Sequence, residues 1–588
     1  MVEKNETNLN SLELFAESKF FFDLLLKSSV QVSHVVARTY VNGSWTQFSG
    51  HDFCAHLARA VDYWLDLFPL EKIEPGQSVI LLSRNTYNSF VSSIAAILCG
   101  LDVMFAPLQM SKSDIAWCVN YFKGVAIVTD MDELSKHLDG FSIPVISVAQ
   151  AAWAPQDKHP EPGLLKLYRE KKLSRAENNS IDPNSPWHKV KPGRFSFVSF
   201  GHDGFQKPEI LSLDAMVITA QNFLIHAEIP KNIYWKSLEL MVPSTPFVHI
   251  SKICVLLRNG ILGFPNHSAD WETNLRILRP TFLFVSSPEL TQVCNFVEEV
   301  IKRKNIDYRL NLSTKLDKLN QILSSSKVKI PENTFNFIKR TLRVGARTLA
   351  GSVFLKESVE DLRFVVHGLA PAQESHVAIL EKLGIPVLET YGTTQAAGIL
   401  SSNNFHTPHL NTIGTPLPHV SFRLGHQSIL EYRISLSAFR NYGKWEETGD
   451  VAQMTPYGFI ITGRKRHLFV TLGGVVVSPA RLEQLLKEDE MIADACVIGD
   501  KLPYLSALII LNHDAFSSYR IFQQKIKDHI QEVIAKINET LPRNVTIKKF
   551  VILEKPFTEA NGEKLSNGEI NRLKIQETCS AAIASLYS

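Results

Sequence analysis

A length of 588 residues exceeds what one hydrophobic core usually serves, so the sequence predicts at least two domains. Hydrophobic residues make up 45% and charged residues 21% of the chain, which is the ordinary balance of a globular protein. The formal net charge of +3 is small for this length and argues against nucleic acid as a partner.

The cysteines and the N-terminal sequence predict a cytoplasmic protein. Seven cysteines are scattered along the chain, with neither a CxxC pair nor a Cys/His cluster at metal-ligand spacing, which favours reduced thiols. The start, MVEKNETNLNSLELF, lacks the basic and apolar regions of a signal peptide. The most apolar stretch, 91–107, is interrupted by Asp102 and is too short to span a bilayer.

Residues 78–130 alternate between strand and helix patterns. SVILLS, VMFAP and VAIVTD predict buried strands, and NSFVSSIAAILCG and SDIAWCVNYF predict the helices between them. This alternation is typical of a parallel sheet covered by helices. The pattern returns at 363–392, where RFVVHG, AQESHVAILEKLG and IPVLETYG predict strand, helix and strand. Open sheets of this kind bind ligands in loops at the carboxyl ends of their strands.

Two stretches interrupt the pattern. Residues 154–192 are polar and proline-rich and predict a surface excursion. Residues 301–347 hold twelve Lys/Arg and three acidic residues, with Leu and Ile between them, and predict a helical excursion. One interpretation is a solvated helical face. The other is a peripheral contact with anionic lipid, to which each Lys/Arg contributes about 1 kcal/mol.

The character of the sequence changes after Gly463. HLFVTL, ACVIGD, LSALIIL and KKFVIL predict short strands, and KIKDHIQEVIAKINETL predicts an amphipathic helix. We therefore predict an α/β fold with a large multi-sheet N-terminal domain at 1–466. A small C-terminal α+β domain is predicted at 467–588.

Four local motifs occur in a fixed order. SFGHDGFQKP at 199–208 is a glycine-rich loop ending in lysine, which can surround phosphate with N–H groups and a cation. HGLAP at 367–371 and YGTTQ at 391–395 follow predicted strands, and TGDVAQMTPYGFIITGRKRHLF at 448–469 comes last. Together they resemble the adenylate-forming superfamily of acyl-CoA synthetases, peptide-synthetase adenylation domains and luciferases.

The resemblance covers nearly all of residues 40–575. It implies activation of a carboxylic acid by ATP to an acyl-AMP, followed by transfer to CoA, and a mobile C-terminal domain that rotates between the two steps. The segments KINETLPRNVTIKKFVILEKPFTEANGEKLS and NTIGTPLP are most similar to long-chain fatty acid–CoA ligases. A medium-chain, aryl or peptidyl-carrier subfamily stays open.

The resemblance also implies which residues meet the phosphates and the ribose. In the phosphate loop they are Gly201, Gly204 and Lys207. Asp450 would accept the ribose hydroxyls, and Arg464 would reach the same ribose. The alternative interpretation is that Asp450 is a turn residue and Arg464 a surface charge.

Further residues are implied for the base, the α-phosphate and the acid. Tyr391 would stack on adenine, against a segment that contains Gly368, Ala370 and Pro371. Thr393 and Thr394 would approach the α-phosphate. His249, in PFVHIS, matches an aromatic or histidine position near the acyl carboxylate, and a core histidine is the alternative.

Several positions depart from the family pattern. Gln395 replaces a magnesium-binding glutamate, which would make Mg²⁺ binding weak or absent, since Mg²⁺ prefers anionic oxygen ligands. Glu569 occupies the position of a catalytic lysine in two independent registers, one counted from FTEANG and one from GEINR. Asp203 places a negative charge in the phosphate loop, and His467 replaces a hinge aspartate.

The sequence thus predicts an acyl-CoA synthetase-like protein that activates a long-chain fatty acid with weakened adenylation. Its ligands would be a fatty acid or acyl-adenylate, ATP/AMP and CoA. One alternative is a degenerate protein that binds acyl chains, acyl-AMP or CoA as a sensor or partner subunit. Another is an enzyme that keeps only the thioester-forming or acyl-transfer half-reaction.

Overall fold

The structure is a computed structural model. The predicted excursions at 154–192 and 301–347 lie outside the residues it describes, apart from 301–303. The described residues are 34–41, 44–69, 72–108, 110–131, 134, 138, 140–148, 193–198, 200–201, 204–205, 208–303, 361–405, 412–455, 458–465, 469–470, 476–477, 479–512, 516–517, 523–539, 541, 546–558, 560–564 and 570–587.

The chain forms two compact units. The first consists of residues 1–421 and 433–444, and the second of residues 422–432 and 445–588. The domain division predicted after residue 466 falls within the second unit and stays a prediction.

The first unit contains short strands and eight described helices. Its strands are β1 Val35–Val41, β2 Ser44–Ser49, β3 Ser78–Leu81, β4 Asp102–Phe105, β5 Gly124–Thr129, β6 Val145–Ser147, β7 Phe195–Phe197, β8 Phe200–Gly201, β9 Gly204–Phe205, β10 Glu209–Leu211, β11 Leu262–Gly263, β12 Phe282–Val285, β13 Phe364–His367, β14 Val387–Tyr391, β15 Ser401–Ser402 and β16 Thr415–Pro416. Its helices are α1 Gly50–Leu67, α2 Tyr87–Leu98, α3 Lys112–Tyr121, α4 Leu213–His226, α5 Pro246–Leu257, α6 Trp271–Leu278, α7 Ser287–Arg303 and α8 Glu374–Lys382.

The larger sheet of the first unit has the strand order β10-β7-β4-β3-β5-β6. All its strands are parallel except β10, and Leu81 of β3 is aligned with Phe105 of β4. The strands SVIL and DVMF are buried at every position. Continuous burial is expected of parallel strands covered on both faces.

A second sheet has the order β12-β13-β14-β15-β16, and its first three strands are parallel. Leu283, Val365 and Val387 belong to one core with apolar residues from α6, α7 and α8. A three-stranded sheet, β11-β1-β2, completes the main framework. The predicted strand–helix–strand segments at 78–130 and 363–392 are confirmed.

The second unit contains most of a four-stranded sheet and a separate three-stranded sheet, β23-β24-β25. Its strands are β17 Val420–Leu424, β18 Ile429–Ile434, β19 Trp445–Thr455, β20 Gly458–Arg464, β21 Phe469–Val470, β22 Val476–Val477, β23 Ile492–Ile498, β24 Leu505–Leu511 and β25 Ile547–Leu553. Its helices are α9 Pro479–Leu486, α10 Gln523–Glu539, α11 Arg572–Thr578 and α12 Ser580–Tyr587.

The three-stranded sheet is covered on both faces. Along β23, Ala495 and Val497 face a core shared with α9 and α10, whereas Cys496 and Ile498 face a core shared with α11 and α12. This alternation follows from the two-residue period of a strand. The predicted strands and amphipathic helix of the C-terminal region are confirmed.

Two further expectations concern cysteines and membrane spans. The six cysteines whose side chains are described are all free thiols. Among the described residues, no helix combines the length and apolar character needed to cross a bilayer.

Candidate functional site

Helix α5 lies between the carboxyl ends of the two parallel sheets in the first unit. Near its start, Phe247 packs within a ring-centroid distance of 5.1 Å of Phe284 in β12. Two residues later, the ring of His249 lies 4.2 Å from that of Phe105, the last residue of β4. Loops at such strand ends are where open sheets bind ligands.

The HGLAP segment follows β13, and its close packing requires a glycine at position 368. A Cβ on Gly368 would lie 2.6 Å from Thr390 Oγ1 and 3.1 Å from the Phe247 ring. Thr390 in turn donates a hydrogen bond to the His367 carbonyl oxygen at 2.8 Å. Any side chain at Gly368 would therefore displace β14 or α5, while the following Ala370 and Pro371 are exposed.

The YGTTQ segment turns sharply after Tyr391, which is half-buried at the end of β14. Gly398 donates a hydrogen bond to the Thr393 carbonyl oxygen at 3.0 Å, and a Cβ on Gly392 would overlap the Gly398 backbone. Gly398 itself has φ of +95° and lies against the backbone of residues 246–247. The loop is thus folded tightly onto the start of α5.

Two buried threonine hydroxyls at this junction lack a hydrogen-bond partner among the described residues. They are Thr245 Oγ1, just before α5, and Thr393 Oγ1, in the YGTTQ loop. Thr245 also makes no side-chain cap to α5, which leaves N–H groups of its first turn for another acceptor. Burying a hydroxyl without a hydrogen bond costs about 1–3 kcal/mol. The junction therefore fits a ligand with anionic oxygen atoms, such as a phosphate or a carboxylate.

His249 does not point to this junction. Its Nε2 donates a hydrogen bond to the Pro243 carbonyl oxygen at 2.9 Å, and its ring packs against Phe105, Phe195 and Phe197. Burial lowers the pKa of His249 well below 6.5, and the charge of Lys252 lowers it further. These contacts fit the alternative interpretation of a core histidine.

The predicted phosphate loop begins where β7 ends. Gly201 and Gly204 are aligned as partners in the short β8–β9 hairpin. Lys207 and Asp203 lie outside the described residues. Gln395, at the predicted magnesium position, is exposed, and Thr394 beside it is half-buried. Within the described part of the chain, no three His, Cys, Asp or Glu side chains are grouped as metal ligands.

In the second unit, the residues predicted at the ribose meet each other. Asp450 and Arg464 are opposite partners in the β19–β20 pair, with Arg464 Nε 3.2 Å from Asp450 Oδ1. Thr448 Oγ1 accepts a hydrogen bond from the Asp450 amide, and Gly449 takes a φ of +79°. The Thr-Gly-Asp turn thus fixes a largely buried carboxylate beside a half-exposed guanidinium.

Glu569 lies outside the described residues, but the lysines on either side of it are described. Lys564 Nζ is 2.7 Å from Asp494 Oδ2, and Lys574 Nζ is 3.1 Å from Glu577 Oε2. An isolated β-bridge pairs Lys564 with Ile570. Both lysines therefore already have acidic partners within the second unit.

Sequence reasoning missed Thr245 and Phe247, which form the end of α5 nearest the two loops. A signal was present, because TP before an apolar run predicts a helix start at Pro246. That boundary would have placed His249 one turn inside the helix.

Comparison with known proteins finds similarity to AMP-binding enzymes and long-chain fatty acid–CoA ligases. The family model described as "AMP-binding enzyme C-terminal domain" matches residues 467–588. The long-chain-fatty-acid–CoA ligase FadD15 of Mycobacterium bovis is 29% identical over 253 residues, covering 38% of this chain and 42% of that protein. The human long-chain-fatty-acid–CoA ligase ACSBG2 is 24% identical over 356 residues, covering 50% of each chain. The matches thus span half or less of these curated relatives.

Solved structures share the fold at low identity. The adenylation domain of a carboxylate reductase from Mycobacterium chelonae has a TM-score of 0.62 at 15% identity, covering 98% of this chain and 93% of that one. The o-succinylbenzoate coenzyme A synthetase MenE from Bacillus subtilis, in complex with AMP, has a TM-score of 0.62 at 13% identity, covering 94% and 98%. These two likenesses establish the fold alone.

Gly392→Ala should destabilise the first unit by about 1–3 kcal/mol, because the added Cβ overlaps the Gly398 backbone in a tightly packed loop. Thermal melting followed by circular dichroism measures the change. Gln395→Ala is the matched control, since this exposed side chain in the same loop should change stability by less than about 0.5 kcal/mol. Equal melting temperatures for Gly392→Ala and the parent would contradict the proposed close approach.

Proposed function

We propose that this chain, a member of the adenylate-forming superfamily, is an acyl-CoA synthetase-like protein that activates a fatty acid through acyl-AMP with weakened adenylation. The observation that carries the proposal is the junction at the start of α5. There the HGLAP and YGTTQ loops meet two buried, unpartnered threonine hydroxyls. A nucleotide phosphate and a substrate carboxylate both supply the acceptor oxygens that these hydroxyls lack.

The chemistry assigns distinct roles to the chain's own residues. A carboxylate oxygen attacks the α-phosphate, and pyrophosphate leaves, so negative charge accumulates around one phosphorus atom. Thr393 and Thr394 would donate hydrogen bonds to the α-phosphate oxygens. Asp450, oriented by Arg464, would accept hydrogen bonds from the ribose hydroxyls. Lys207 would supply positive charge at the phosphates. The CoA thiol would then take up the acyl group as a thioester, and AMP would leave.

Adenylation is weakened at three positions. Glu569 stands where the family has a lysine and Asp203 lies in the phosphate loop, so both add negative charge, whereas Gln395 lacks the anionic oxygens with which the family glutamate binds Mg²⁺. Two like charges about 4 Å apart at an effective dielectric constant of about 20 repel by roughly 4 kcal/mol. That energy corresponds to nearly a thousandfold in rate.

The neighbouring lysines are poorly placed to compensate for Glu569. Lys564 Nζ lies 2.7 Å from Asp494, a carboxylate that is largely buried, and moving it would leave that charge with the longer contact to Lys487 at 3.7 Å. Lys574 pairs with Glu577 on the exposed side of α11. The defect should therefore persist unless residue 569 itself is changed.

A second candidate function is binding without efficient adenylation, as a sensor or partner subunit. It is favoured by the contrast between the lost charges and the Asp450–Arg464 pair, which is present and could still hold an adenosine. An enzyme that keeps only the thioester-forming or acyl-transfer step is the third candidate. We further propose a cytoplasmic location, with the basic segment 301–347 as a peripheral contact for anionic membrane lipid.

Glu569→Lys should raise acid-dependent ATP–pyrophosphate exchange at least about tenfold over the parent, and Glu569→Gln should raise it less. A lysine restores attraction for the reacting anions, whereas glutamine only removes repulsion. Glu577→Lys is the matched control, since it makes the same charge change at an exposed position of the second unit. If neither Glu569 variant exceeds the parent, residue 569 is not the limiting defect.

A long-chain acyl-adenylate analogue should stabilise the protein far more than ATP with Mg²⁺. The analogue lacks the β- and γ-phosphates, so it avoids the altered phosphate loop and magnesium position. At a hundredfold excess over its Kd, a ligand of the native state stabilises it by about 2.7 kcal/mol, which a thermal-shift measurement detects. The shift should shrink in Asp450→Ala and persist in the control Glu447→Ala, whose carboxylate is exposed and paired with Lys465.

A shift with ATP and Mg²⁺ as large as that with the analogue would count against the weakened phosphate site. The absence of a shift with any acyl or adenylate ligand would overturn the proposed function. Melting of Asp450→Ala without ligand separates lost binding from lost folding.

A further inference from the structure

Helix α5 carries a buried lysine that none of the contacts proposed above uses. Lys252 is 2% exposed. Within the described part of the chain it has no hydrogen bond or ion pair, and its ammonium group lies 5.7 Å from the centre of the Phe90 ring. Burial lowers the pKa of Lys252 to about 8, against the opposing influence of Glu239. A buried ammonium group without a hydrogen-bond acceptor is costly and calls for an explanation.

Glu239 does not supply that acceptor. Its carboxylate is 3% exposed and accepts a hydrogen bond from Ser251 Oγ at 3.2 Å and another from the Ser237 hydroxyl. Burial raises the pKa of Glu239, and the charge of Lys252 opposes that rise from beyond ion-pair distance. No described residue accepts a hydrogen bond from the three N–H donors of the ammonium group. A buried ion pair of purely structural value would be expected to be in contact.

Lys252 lies on the same helix as the junction, which is at the helix start. From Thr245 to Lys252, the axial rise of a helix amounts to roughly 10 Å. His249 and Lys252 are three residues apart, which places them on neighbouring positions of one helix face. Since His249 packs against the phenylalanines that end β4 and β7, this face of α5 is turned toward the carboxyl edge of the larger sheet.

The geometry points to Lys252 as a specificity-determining residue that binds an oxygen acceptor within the acyl chain of the substrate. This inference rests on the proposed function. An acyl chain whose carboxylate lies at the start of α5, and which extends along that helix, would reach the level of Lys252 after roughly 10 Å. A hydroxyl, oxo or second carboxylate group there would accept the hydrogen bonds that Lys252 lacks. A plain hydrocarbon chain would leave the ammonium group unsatisfied.

The test uses the full chain and a matched set of acyl-adenylate analogues in which a sulfamate replaces the phosphate. One analogue carries a saturated chain, others carry a hydroxyl at successive positions of the same chain, and one carries a terminal carboxylate. Isothermal titration calorimetry measures each Kd. We expect the best oxygen-bearing analogue to bind at least about tenfold more tightly than the saturated one, as for a hydrogen bond to a charged group.

Lys252→Met should remove this preference and leave the affinity for the saturated analogue unchanged or improved. Lys231→Met, which removes an exposed charge in the same unit, should keep the preference. Glu239→Gln keeps the Lys252 cation without its countercharge and should keep or increase the preference for the carboxylate analogue. It also provides a second variant if Lys252→Met does not fold.

The results distinguish a failure of the Lys252 contact from a failure of the proposed function. Equal affinity of the parent for saturated and oxygen-bearing analogues would overturn the role of Lys252 and leave the proposed function standing. A preference that survives in Lys252→Met would also overturn it. If no analogue binds at any chain length, the proposed function fails and the inference fails with it.

Discussion

The close approach of helix α5 to two loop backbones is the constraint on which the candidate site depends. Phe247 fills the space where Gly368 has no side chain, and the backbone of residues 246–247 lies against Gly398. These contacts bring the carboxyl ends of both parallel sheets to one helix. They also bury the Thr245 and Thr393 hydroxyls without a hydrogen-bond partner among the described residues, an arrangement that fits a ligand with anionic oxygen atoms.

The same helix carries two buried titratable groups, His249 and Lys252. Burial lowers the pKa of His249, and the charge of Lys252, one turn away in a low-dielectric interior, lowers it further. In the proposed function, the substitutions at residues 203, 395 and 569 would weaken adenylation, because a reaction among several anions needs donors and cations already in place.

The sequence predicted the framework well and the site only in part. Continuous apolar runs and helical periodicity were sufficient for β3 to β5 and for the segment around β13 and β14, since those signals arise from burial on both faces. The sequence identified Asp450 and Arg464 separately. It did not predict their pairing, because the pairing depends on the register between two strands, β19 and β20. The sequence placed His249 near the acyl carboxylate, yet the direction of the His249 side chain depends on where α5 begins. Nothing in the local pattern distinguishes Lys252 from a surface lysine.

We infer that this chain retains the fold of adenylate-forming enzymes while the charges needed for adenylation are altered. Acid-dependent ATP–pyrophosphate exchange, measured on the unaltered chain with fatty acids of graded length and Mg²⁺, tests it most directly. Typical enzymes turn over at about 10 per second. With every acid, we expect an exchange rate at least about a hundredfold below this typical turnover. Exchange at the typical rate with any acid would show that adenylation is not weakened.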